Sequence, residues 1–438
     1  MRTILMLLCL GLAPLAAAQV GLPSVRLPQL PPVTLPNLPA TALPPGASVG
    51  ELDPRRLREL RTLRIRELLR RHRDVLEADP HGDPIVRGEL LALAPSPAAV
   101  QAAVAAGLSV QRELPLEGLN LRIAVLHTAG ATARTLQRLQ ALDPAGTYDF
   151  NHIYIDSGTI AGAGAERSAP PPLPTPEPAD GGPRISVGLI DSGVDASHEV
   201  FLGLTLMRHG CADQAVPAAH GTAVASLLVG RAPALHGAAP GAALYAADVF
   251  CGKPTGGAVD AVAEAFAWLA RQRIAVINVS LVGPPDRLLE RVVEGVVARG
   301  VLVVAAVGND GPAAAPLYPA AWPGVVGVTG VDARGRVLVE AERGAQVKFA
   351  APGADIAAAK AGGGYLLVRG TSFAAPIVAG LLALNLRAPE TSAASEAVAA
   401  LARSARDPAS PRVDPAYGYG LVGAELRRQP ALARLHRD

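Results

Sequence analysis

The sequence is poor in aromatic residues, in cysteine and in net charge, and these shortages limit what the protein can be. Aromatic residues make up 3% of the 438 residues, and the formal net charge is +2. Because nucleic-acid-binding proteins carry a basic excess, this composition gives a nucleic-acid partner no support. Apolar residues make up 50% of the chain, so two or three domains with sizeable cores are expected.

Long hydrophobic runs are also lacking, apart from a short one at the N-terminus. Arg2 precedes an apolar run over residues 4–15, and Ala16–Ala18 supply the small residues of a cleavage site. The run is too short to span a bilayer, and the pattern predicts a secretory signal peptide over 1–18. We therefore expect a secreted or periplasmic protein with no membrane span after signal removal.

Only three cysteines are present, and Cys9 lies in the predicted signal peptide. In an oxidising compartment the remaining pair, Cys211 and Cys251, predicts one disulfide. Two buried thiols are the alternative, because the sequence does not show whether the Cα atoms lie close enough. We expect no required cofactor. No Asp/Asn cluster has convincing calcium-ligand spacing, so whether a structural calcium ion is bound stays unknown from the sequence.

Two proline-rich stretches divide the chain into segments. These are a signal peptide (1–18), a Pro-rich linker (19–50), an Arg-rich helical segment (51–83), a small domain (84–158), a second Pro-rich linker (159–183) and a large domain (184–438). The Arg-rich segment is interpreted as an amphipathic helix packed on its neighbour, with membrane-surface or partner binding as the alternative.

The small domain shows an alternation of strand-like and helix-like patterns. The expected strands are Val86–Ala94, Leu108–Leu121, Arg122–His127 and Tyr148–Ile155, and the expected helices are Pro97–Ala106 and Thr132–Leu142. The order β-α-β-β-α-β predicts a ferredoxin-like α+β fold. This domain contains no catalytic constellation.

The large domain has short apolar strands that alternate with helical stretches. Strands buried on both faces predict an α/β three-layer sandwich with a mainly parallel sheet. Functional side chains are then expected at the carboxyl ends of the strands.

The stretch Gly370–Gly380 predicts a helix buried on all sides, because small and aliphatic residues follow Ser372. Pro376 is expected in the first turn of that helix, where its missing N–H is not needed. Ser372 then lies at the helix N-terminus, where unpaired N–H groups favour negative charge. Taken by itself, the stretch is a capped core helix.

Two other motifs place polar side chains in similar positions. Asp191 follows an apolar strand and begins Asp-Ser-Gly, whereas His220 begins His-Gly-Thr at the start of a small-residue helix. Taken singly, Asp191 could be a cap and His220 a core histidine. Together with Ser372 they follow the order Asp, His, Ser, which is one of the three known orders of the serine-hydrolase triad.

On these motifs, residues 184 to about 425 resemble the subtilisin-like serine peptidases, also called subtilases or peptidase family S8. The resemblance implies that Asp191, His220 and Ser372 form the triad and that Asn309 supplies the oxyanion-hole amide. Other matching motifs are His-Gly-Ala-Ala-Pro (236–240), Asn-Val-Ser-Leu (278–281), Ala-Pro-Gly (351–353) and Gly-Tyr-Gly (418–420).

Residues 84–158 resemble the propeptide domain of this family. The resemblance implies that the chain's own N-terminal domain acts as an intramolecular chaperone and inhibitor. It also implies a subtilisin-like catalytic domain preceded by a ferredoxin-like prodomain.

Ser280, Leu281, Val282 and Gly283 match the family segment that pairs with bound substrate. The family usually has Leu-Gly-Gly where this chain has Leu-Val-Gly. We hypothesise that Val282 narrows the pocket for the residue before the scissile bond and favours small or medium side chains. A one-residue shift of the loop is the alternative.

The proposed chemistry explains these residue types. A serine hydroxyl is a poor nucleophile at neutral pH, so His220 would take its proton during attack. Asp191 would fix the imidazole tautomer and stabilise the imidazolium. Asn309 and the Ser372 backbone N–H would stabilise the oxyanion.

The expected function is a secreted serine endopeptidase that cleaves protein or peptide substrates. We expect a monomer, made as a zymogen that is processed between Asp156 and Pro183. The alternatives are a peptide ligase or cyclase on the same fold and an inactive binding protein. A carboxyl peptidase of the related fold is disfavoured by His220 and Asn309.

Overall fold

The protein is described from a computed structural model, which covers residues 54–160, 185–233, 235–406 and 413–427. The predicted signal peptide, the first linker and most of the second linker lie outside the described residues. Within the described part, no helix combines the length and apolarity needed to cross a membrane.

The described residues of the N-terminal part form three α-helices and six strands. In chain order they are α1 (Pro54–Arg71), β1 (Leu76–Ala78), β2 (Pro84–Leu93), α2 (Pro97–Ala105), β3 (Ser109–Leu116), β4 (Leu121–His127), α3 (Thr132–Leu142), β5 (Thr147–Asp156) and β6 (Thr159–Ile160). Strands β5, β2, β4 and β3 form an antiparallel sheet in that order, with β1 added on β2. Alanines of α2 and leucines of α3 pack on one face of this sheet. The predicted ferredoxin-like arrangement is therefore confirmed.

The described residues of the C-terminal part form five α-helices and eleven strands. In chain order they are β7 (Ser186–Asp191), β8 (Leu206–His209), α4 (Ala219–Val229), β9 (Ala243–Asp248), β10 (Gly257–Ala258), α5 (Val259–Arg271), β11 (Val276–Val279), β12 (Leu281–Val282), α6 (Arg287–Val297), β13 (Leu302–Ala306), β14 (Val326–Val331), β15 (Val347–Pro352), β16 (Ala354–Ala359), β17 (Tyr365–Arg369), α7 (Thr371–Ala383) and α8 (Thr391–Ser404).

Seven of these strands form a parallel sheet in the order β15-β14-β13-β11-β7-β9-β8. Helices α4, α7 and α8 share one apolar core with this sheet, and α5 and α6 share a second. The predicted three-layer α/β sandwich is therefore confirmed. Because every strand of the sheet is parallel, their carboxyl ends lie along one edge, where β7 sits between β11 and β9.

The strand predicted over Leu108–Leu121 was too long. It ends at Leu116 and is followed by a short 3-10 turn over Glu117–Leu119. A side chain at Gly118 would collide with the carbonyl oxygen of Ala267 on α5. The chain turns here because it packs closely on the other domain, which local sequence does not reveal.

The second linker was predicted to begin at residue 159. Instead, Thr159–Ile160 forms β6, which pairs with β17 through Thr159 opposite Arg369 and Ile160 opposite Val368. Strand pairing therefore continues past the end of the small domain and along the edge of the large domain.

Candidate active site

Three elements bring Asp191, His220 and Ser372 to the carboxyl edge of the parallel sheet. Asp191 is the last residue of β7, His220 is the second residue of α4, and Ser372 is the second residue of α7. The exposed fractions of these side chains are 0%, 5% and 0%, respectively. The His220 Nδ1 atom lies 2.8 Å from Asp191 Oδ1 and 3.1 Å from Asp191 Oδ2.

Asp191 is held in place by its neighbour. The backbone N–H and the hydroxyl of Ser192 both donate to Asp191 Oδ1, at 2.6 and 3.1 Å. Ser192 Oγ in turn accepts from the Gly221 N–H at 3.0 Å. The Asp-Ser-Gly and His-Gly-Thr motifs are thus tied together, and the carboxylate faces the imidazole in a fixed orientation.

The second ring nitrogen of His220 has no such partner. His220 Nε2 is buried and makes no hydrogen bond to any described residue. Burial by itself would lower the pKa of His220, but the charge and hydrogen bond of Asp191, with the charge of Asp156, outweigh it and raise the pKa. An imidazole oriented through Nδ1 with an unoccupied Nε2 is suited to accept a proton.

Ser372 lies at the start of α7, as predicted, but Pro376 does not lie in the first turn. It is the sixth residue of the helix, so it cannot donate to the Ser372 carbonyl as an ordinary helical residue would. The hydroxyl of Ser280 donates to that carbonyl instead, at 2.9 Å. The prediction about Pro376 was wrong because a side chain distant in sequence replaces the missing donor.

Asn309 is fixed beside the same helix start. Its Oδ1 atom accepts from the Thr371 N–H at 3.1 Å, and Thr371 Oγ1 accepts from the Gly308 N–H at 3.2 Å. Its Nδ2 atom is buried with no hydrogen-bond partner among the described residues. A buried, unpaired amide donor costs free energy, about 1–3 kcal/mol, and such an atom is available to bind a developing negative charge.

The end of β5 runs through the cleft between these residues. We call residues 153–158 the tail. In antiparallel pairing, Leu281 lies opposite Asp156 and Val282 lies opposite Ile155. On the other side of the tail, β10 pairs with Ile153 and Tyr154. The tail is thus the middle strand of a three-stranded ribbon, the position of an added peptide strand.

The tail places Ser157 at the nucleophile. Ser157 Oγ lies 2.5 Å from Ser372 Oγ, which also donates to the Ser280 carbonyl oxygen at 3.1 Å. A Cβ atom on the next residue, Gly158, would lie 3.3 Å from His220 Nε2. The peptide bond between Ser157 and Gly158 therefore lies close to both Ser372 and His220.

Gly370 permits this approach. It has φ 137°, which disfavours other residues, and a Cβ atom there would lie 2.9 Å from Gly158 Cα and 3.1 Å from the Ser157 carbonyl oxygen. The same hypothetical atom would lie 3.2 Å from Asn309 Nδ2. The Ser157 carbonyl and the free amide of Asn309 therefore face the same small space.

The four predicted substrate-binding residues all lie along the tail. Leu281 and Val282 form β12, which pairs with the tail. The Ser280 carbonyl oxygen accepts a hydrogen bond from the Ser372 hydroxyl, and Gly283 lies against the ring of Tyr154. Val282 packs in one apolar cluster with Ile153 and Ile155. The hypothesis that Val282 narrows the pocket before the scissile bond remains a prediction.

Tyr154 is a contact that the sequence did not single out. Its ring is fully buried, and its hydroxyl donates to the Pro284 carbonyl oxygen at 2.8 Å. A Cβ atom on Gly283 would lie 2.6 Å from the ring, so a side chain there would displace it. The cleft therefore holds an aromatic side chain three residues before Ser157.

Cys211 and Cys251 form a disulfide, with their Cα atoms 5.1 Å apart. The bond joins segments that follow β8 and β9, and the intervening loop contains α4 with His220. Asp248, which lies opposite Asp191 in the sheet, accepts the backbone N–H of Cys251 at 2.9 Å. The crosslink therefore stabilises the edge of the sheet on which the histidine helix is mounted.

A second buried histidine lies at the interface between the domains and was missed from the sequence. His152 of β5 contacts Asp286 Oδ2 through Nδ1 at 2.8 Å and Asp79 Oδ2 through Nε2 at 3.6 Å. Burial would lower the pKa of His152, but the two carboxylates and Asp149 raise it to about 10. The only sequence signal was an isolated histidine in a strand.

Comparison with known proteins agrees with this site. Residues 182–420, more than half of the chain, match the subtilase family (Peptidase_S8). Subtilisin DY of Bacillus licheniformis is 31% identical over 257 residues, which cover 57% of this chain and 92% of the relative. Subtilisin E of Bacillus subtilis is 33% identical over 215 residues, which cover 47% of this chain and 56% of the relative.

A solved structure extends the likeness beyond the family region. The structure of fervidolysin from Fervidobacterium pennivorans, a keratinolytic enzyme related to subtilisin, covers 80% of this chain and 62% of its own, with a TM-score of 0.63 and 22% identity. The covered share exceeds the family region, so the shared fold includes part of the N-terminal domain.

The chain belongs to the subtilase family of serine peptidases. The resemblance inferred from the sequence is confirmed, and membership makes the protein a serine-type endopeptidase.

Proposed function

We propose that this subtilase is an exported zymogen whose Ser372 first cleaves the chain's own Ser157–Gly158 bond and then cleaves other protein or peptide substrates. The observation that carries the proposal is the tail, which pairs with β12 and brings Ser157 Oγ to 2.5 Å from Ser372 Oγ. A hydroxyl, an imidazole and an unpaired amide surround the same peptide bond.

The reaction begins when Ser372 Oγ attacks the Ser157 carbonyl carbon and His220 Nε2 takes its proton. Asn309 Nδ2 and the Ser372 N–H stabilise the oxyanion. The intermediate then breaks its bond to the Gly158 nitrogen, which receives the proton from His220. Water hydrolyses the ester on Ser372 and leaves a carboxylate on Ser157. Asp191 orients the imidazole and stabilises its charged form throughout.

The tail also suggests the substrate preference. Ser157 occupies the position before the scissile bond, which agrees with the preference for small side chains proposed for the Val282 segment. Tyr154 is fully buried three residues earlier and has a hydrogen bond to the wall of the cleft. We therefore expect a small residue before the scissile bond and an aromatic residue three positions upstream of it.

After cleavage, the N-terminal domain would remain as an inhibitor. Its tail is paired on both sides, with β10 and β12, and cleavage after Ser157 breaks neither pairing. Export is supported by the signal-like N-terminus and by the Cys211–Cys251 disulfide, since such bonds persist in oxidising compartments.

A synthetic peptide with the sequence of residues 152–161 tests the proposed reaction. Active enzyme should cut it between the residues equivalent to Ser157 and Gly158, and Ser372→Ala enzyme should leave it intact. A peptide in which the equivalent of Tyr154 is changed to Ala should be cut more slowly. Mass spectrometry identifies the products, so ligation would appear as a mass larger than the substrate. Cleavage at another bond, or by the Ser372→Ala enzyme, would contradict the proposal.

A further inference from the structure

Helix α1, the Arg-rich segment without a role in the reaction above, lies against the substrate cleft. Leu68 and Leu69 pack on an apolar cluster that joins the two domains. The cluster consists of Leu76, Ile153, Ile155, Val282 and Leu317. Because it includes residues of both the tail and β12, α1 covers the place where the tail pairs with the cleft.

Arg61 connects this helix to the catalytic domain. Its guanidinium lies 2.7 Å from Asp310 Oδ2, and both side chains are only 17% exposed. Asp310 directly follows Asn309, whose amide faces the Ser157 carbonyl. The ion pair therefore fixes α1 to the loop that carries the oxyanion-hole residue.

Arg64, one turn further along the same helix, connects α1 to the tail. Its guanidinium lies 2.6 Å from Asp156 Oδ1, with side chains 50% and 33% exposed. Asp156 directly precedes Ser157. Two arginines on one face of α1 therefore bind different segments at the cleft. Arg61 binds the loop that carries Asn309, and Arg64 binds the tail that occupies the cleft.

The carboxyl groups near Asp310 favour a positively charged partner such as Arg61. Burial raises the pKa of Asp310, and the charge and hydrogen bond of Arg61 oppose that rise. The neighbouring Glu342 is buried, and its pKa is raised to about 9 by burial and by the charge of Asp310. Arg61 is the cation paired with Asp310, and its charge favours the ionised form of that carboxylate.

Other arginines of α1 behave differently. Arg70 and Arg71 both pair with Glu67 inside the helix, as expected of a solvated helical face. Among the residues that the structure describes, Arg58 and Arg66 have no ion-pair partner. Arg61 and Arg64 differ from all of these because their partners belong to the cleft and its occupant.

We propose that α1 is a cationic latch: Arg61 binds Asp310 of the catalytic domain, Arg64 binds Asp156 of the tail, and together they hold the tail in the cleft. The surface around Asp310 is thus an interaction surface for a basic helix, here the one supplied by the chain itself. The inference rests on the proposed function, because a latch matters only if the tail occupies the active site as substrate and inhibitor.

Hydrogen–deuterium exchange of the full chain tests the latch without requiring catalysis. All variants carry Ser372→Ala, so the tail stays uncut. The test variant adds Arg61→Ala and Arg64→Ala, and the matched control adds Arg58→Ala and Arg66→Ala. Alanine is the strongest helix former and both variants lose two charges, so α1 should persist in each.

We expect tail amides in peptides covering residues 153–158 to exchange about tenfold faster in the test variant at low salt, because two charge-assisted contacts are lost. The control should match the parent chain. At 1 M salt, where screening acts over about 3 Å, the difference should shrink. Equal exchange in the test and control variants would overturn the latch.

The proposed function fails in a different way. If the parent chain shows no protection of the tail, or if Ser372-intact protein does not cleave after Ser157, the zymogen proposal is wrong. If the tail is protected and cleaved but the arginine pairs make no difference, only the latch is wrong.

Discussion

The molecule contains two buried histidine–aspartate pairs with nearly the same geometry and different surroundings. His220 and Asp191 meet at 2.8 Å at the sheet edge, and His152 and Asp286 meet at 2.8 Å at the domain interface. In the first pair, Nε2 has no partner among the described residues and lies near Gly158. In the second, Nε2 faces the carboxylate of Asp79.

The surroundings of Nε2 separate a histidine that can accept a proton, His220, from one that serves as a fixed positive charge, His152. The extra carboxylates around His152 raise its pKa to about 10, so it stays protonated at neutral pH and cannot accept a further proton. Burial lowers the pKa of both histidines, but among the described residues His220 has one direct carboxylate partner, Asp191, where His152 has two. A buried histidine–aspartate pair does not itself define a catalytic site. The group that faces Nε2 of the histidine decides the role of the pair.

The largest effect should come from replacing the two histidines in turn. We expect His220→Ala to lower kcat for peptide hydrolysis by about 10⁴–10⁶, the range found for loss of a triad member. His152→Ala should leave kcat of the processed enzyme unchanged, because the catalytic fragment that begins at Gly158 does not contain residue 152. Steady-state kinetics on a chromogenic peptide measure both. Similar losses in the two variants would remove the distinction between the pairs.

Asn309 should give the next largest effect. Asn309→Ala removes the unpaired amide and is expected to lower kcat by about 10²–10³ with little change in KM, since the donor acts mainly on the oxyanion. The same kinetic assay measures it. Asn385, which bonds the Leu381 carbonyl on the exposed end of α7, offers a control in Asn385→Ala. A pure KM effect would place Asn309 in ground-state binding instead.

The His152–Asp286 pair at the domain interface should affect the free energy of unfolding rather than the rate of catalysis. In full-length Ser372→Ala protein, we expect His152→Ala to lower the free energy of unfolding by about 3 kcal/mol, because Asp286 and Asp79 lose their shared cation. The exposed His81 supplies the control variant His81→Ala. Denaturant unfolding followed by fluorescence gives the difference.

The pH dependence of that stability follows from the sign of the shift. The pKa of His152 is raised from 6.5 to about 10 on folding, so its stabilisation is complete below pH 6.5 and is lost as the pH rises through about 10. His152→Ala should remove this alkaline decline. If the parent and variant decline equally between pH 7 and 10, His152 is not the protonated partner assumed here.

The smallest effect should come from removing the Ser280 hydroxyl, which donates to the Ser372 carbonyl. Ser280→Ala leaves the Ser372 carbonyl without a donor, and we expect a loss of about 1–2 kcal/mol in unfolding free energy. Adding Pro376→Ala restores a backbone N–H to α7 and should recover part of that loss. Calorimetry of the single and double variants measures the coupling. If the effects of Ser280→Ala and Pro376→Ala on the unfolding free energy are simply additive, Ser280 does not substitute for the helical hydrogen bond that Pro376 cannot make.

Local patterns predicted much of the fold and only part of the site. Helix α3 has the predicted bounds, Thr132–Leu142, because its apolar spacing is set by its own residues. The occupation of the cleft by Ser157 could not be predicted, since it depends on pairing between β5 and β12. His152 gained its role from the N-terminus of α6, and Pro376 was tolerated because of Ser280. Each of these depends on a contact between segments distant in sequence.

The central claim is that Ser372, with His220 as its base, cleaves the chain's own Ser157–Gly158 bond. N-terminal sequencing and intact mass of three purified full-length proteins test it most directly: the parent chain, His220→Ala and His152→Ala. We predict a catalytic fragment that begins at Gly158 in the parent and in His152→Ala, and an uncut chain in His220→Ala. A His220→Ala chain processed like the parent, or a parent fragment with a different N-terminus, would contradict the account.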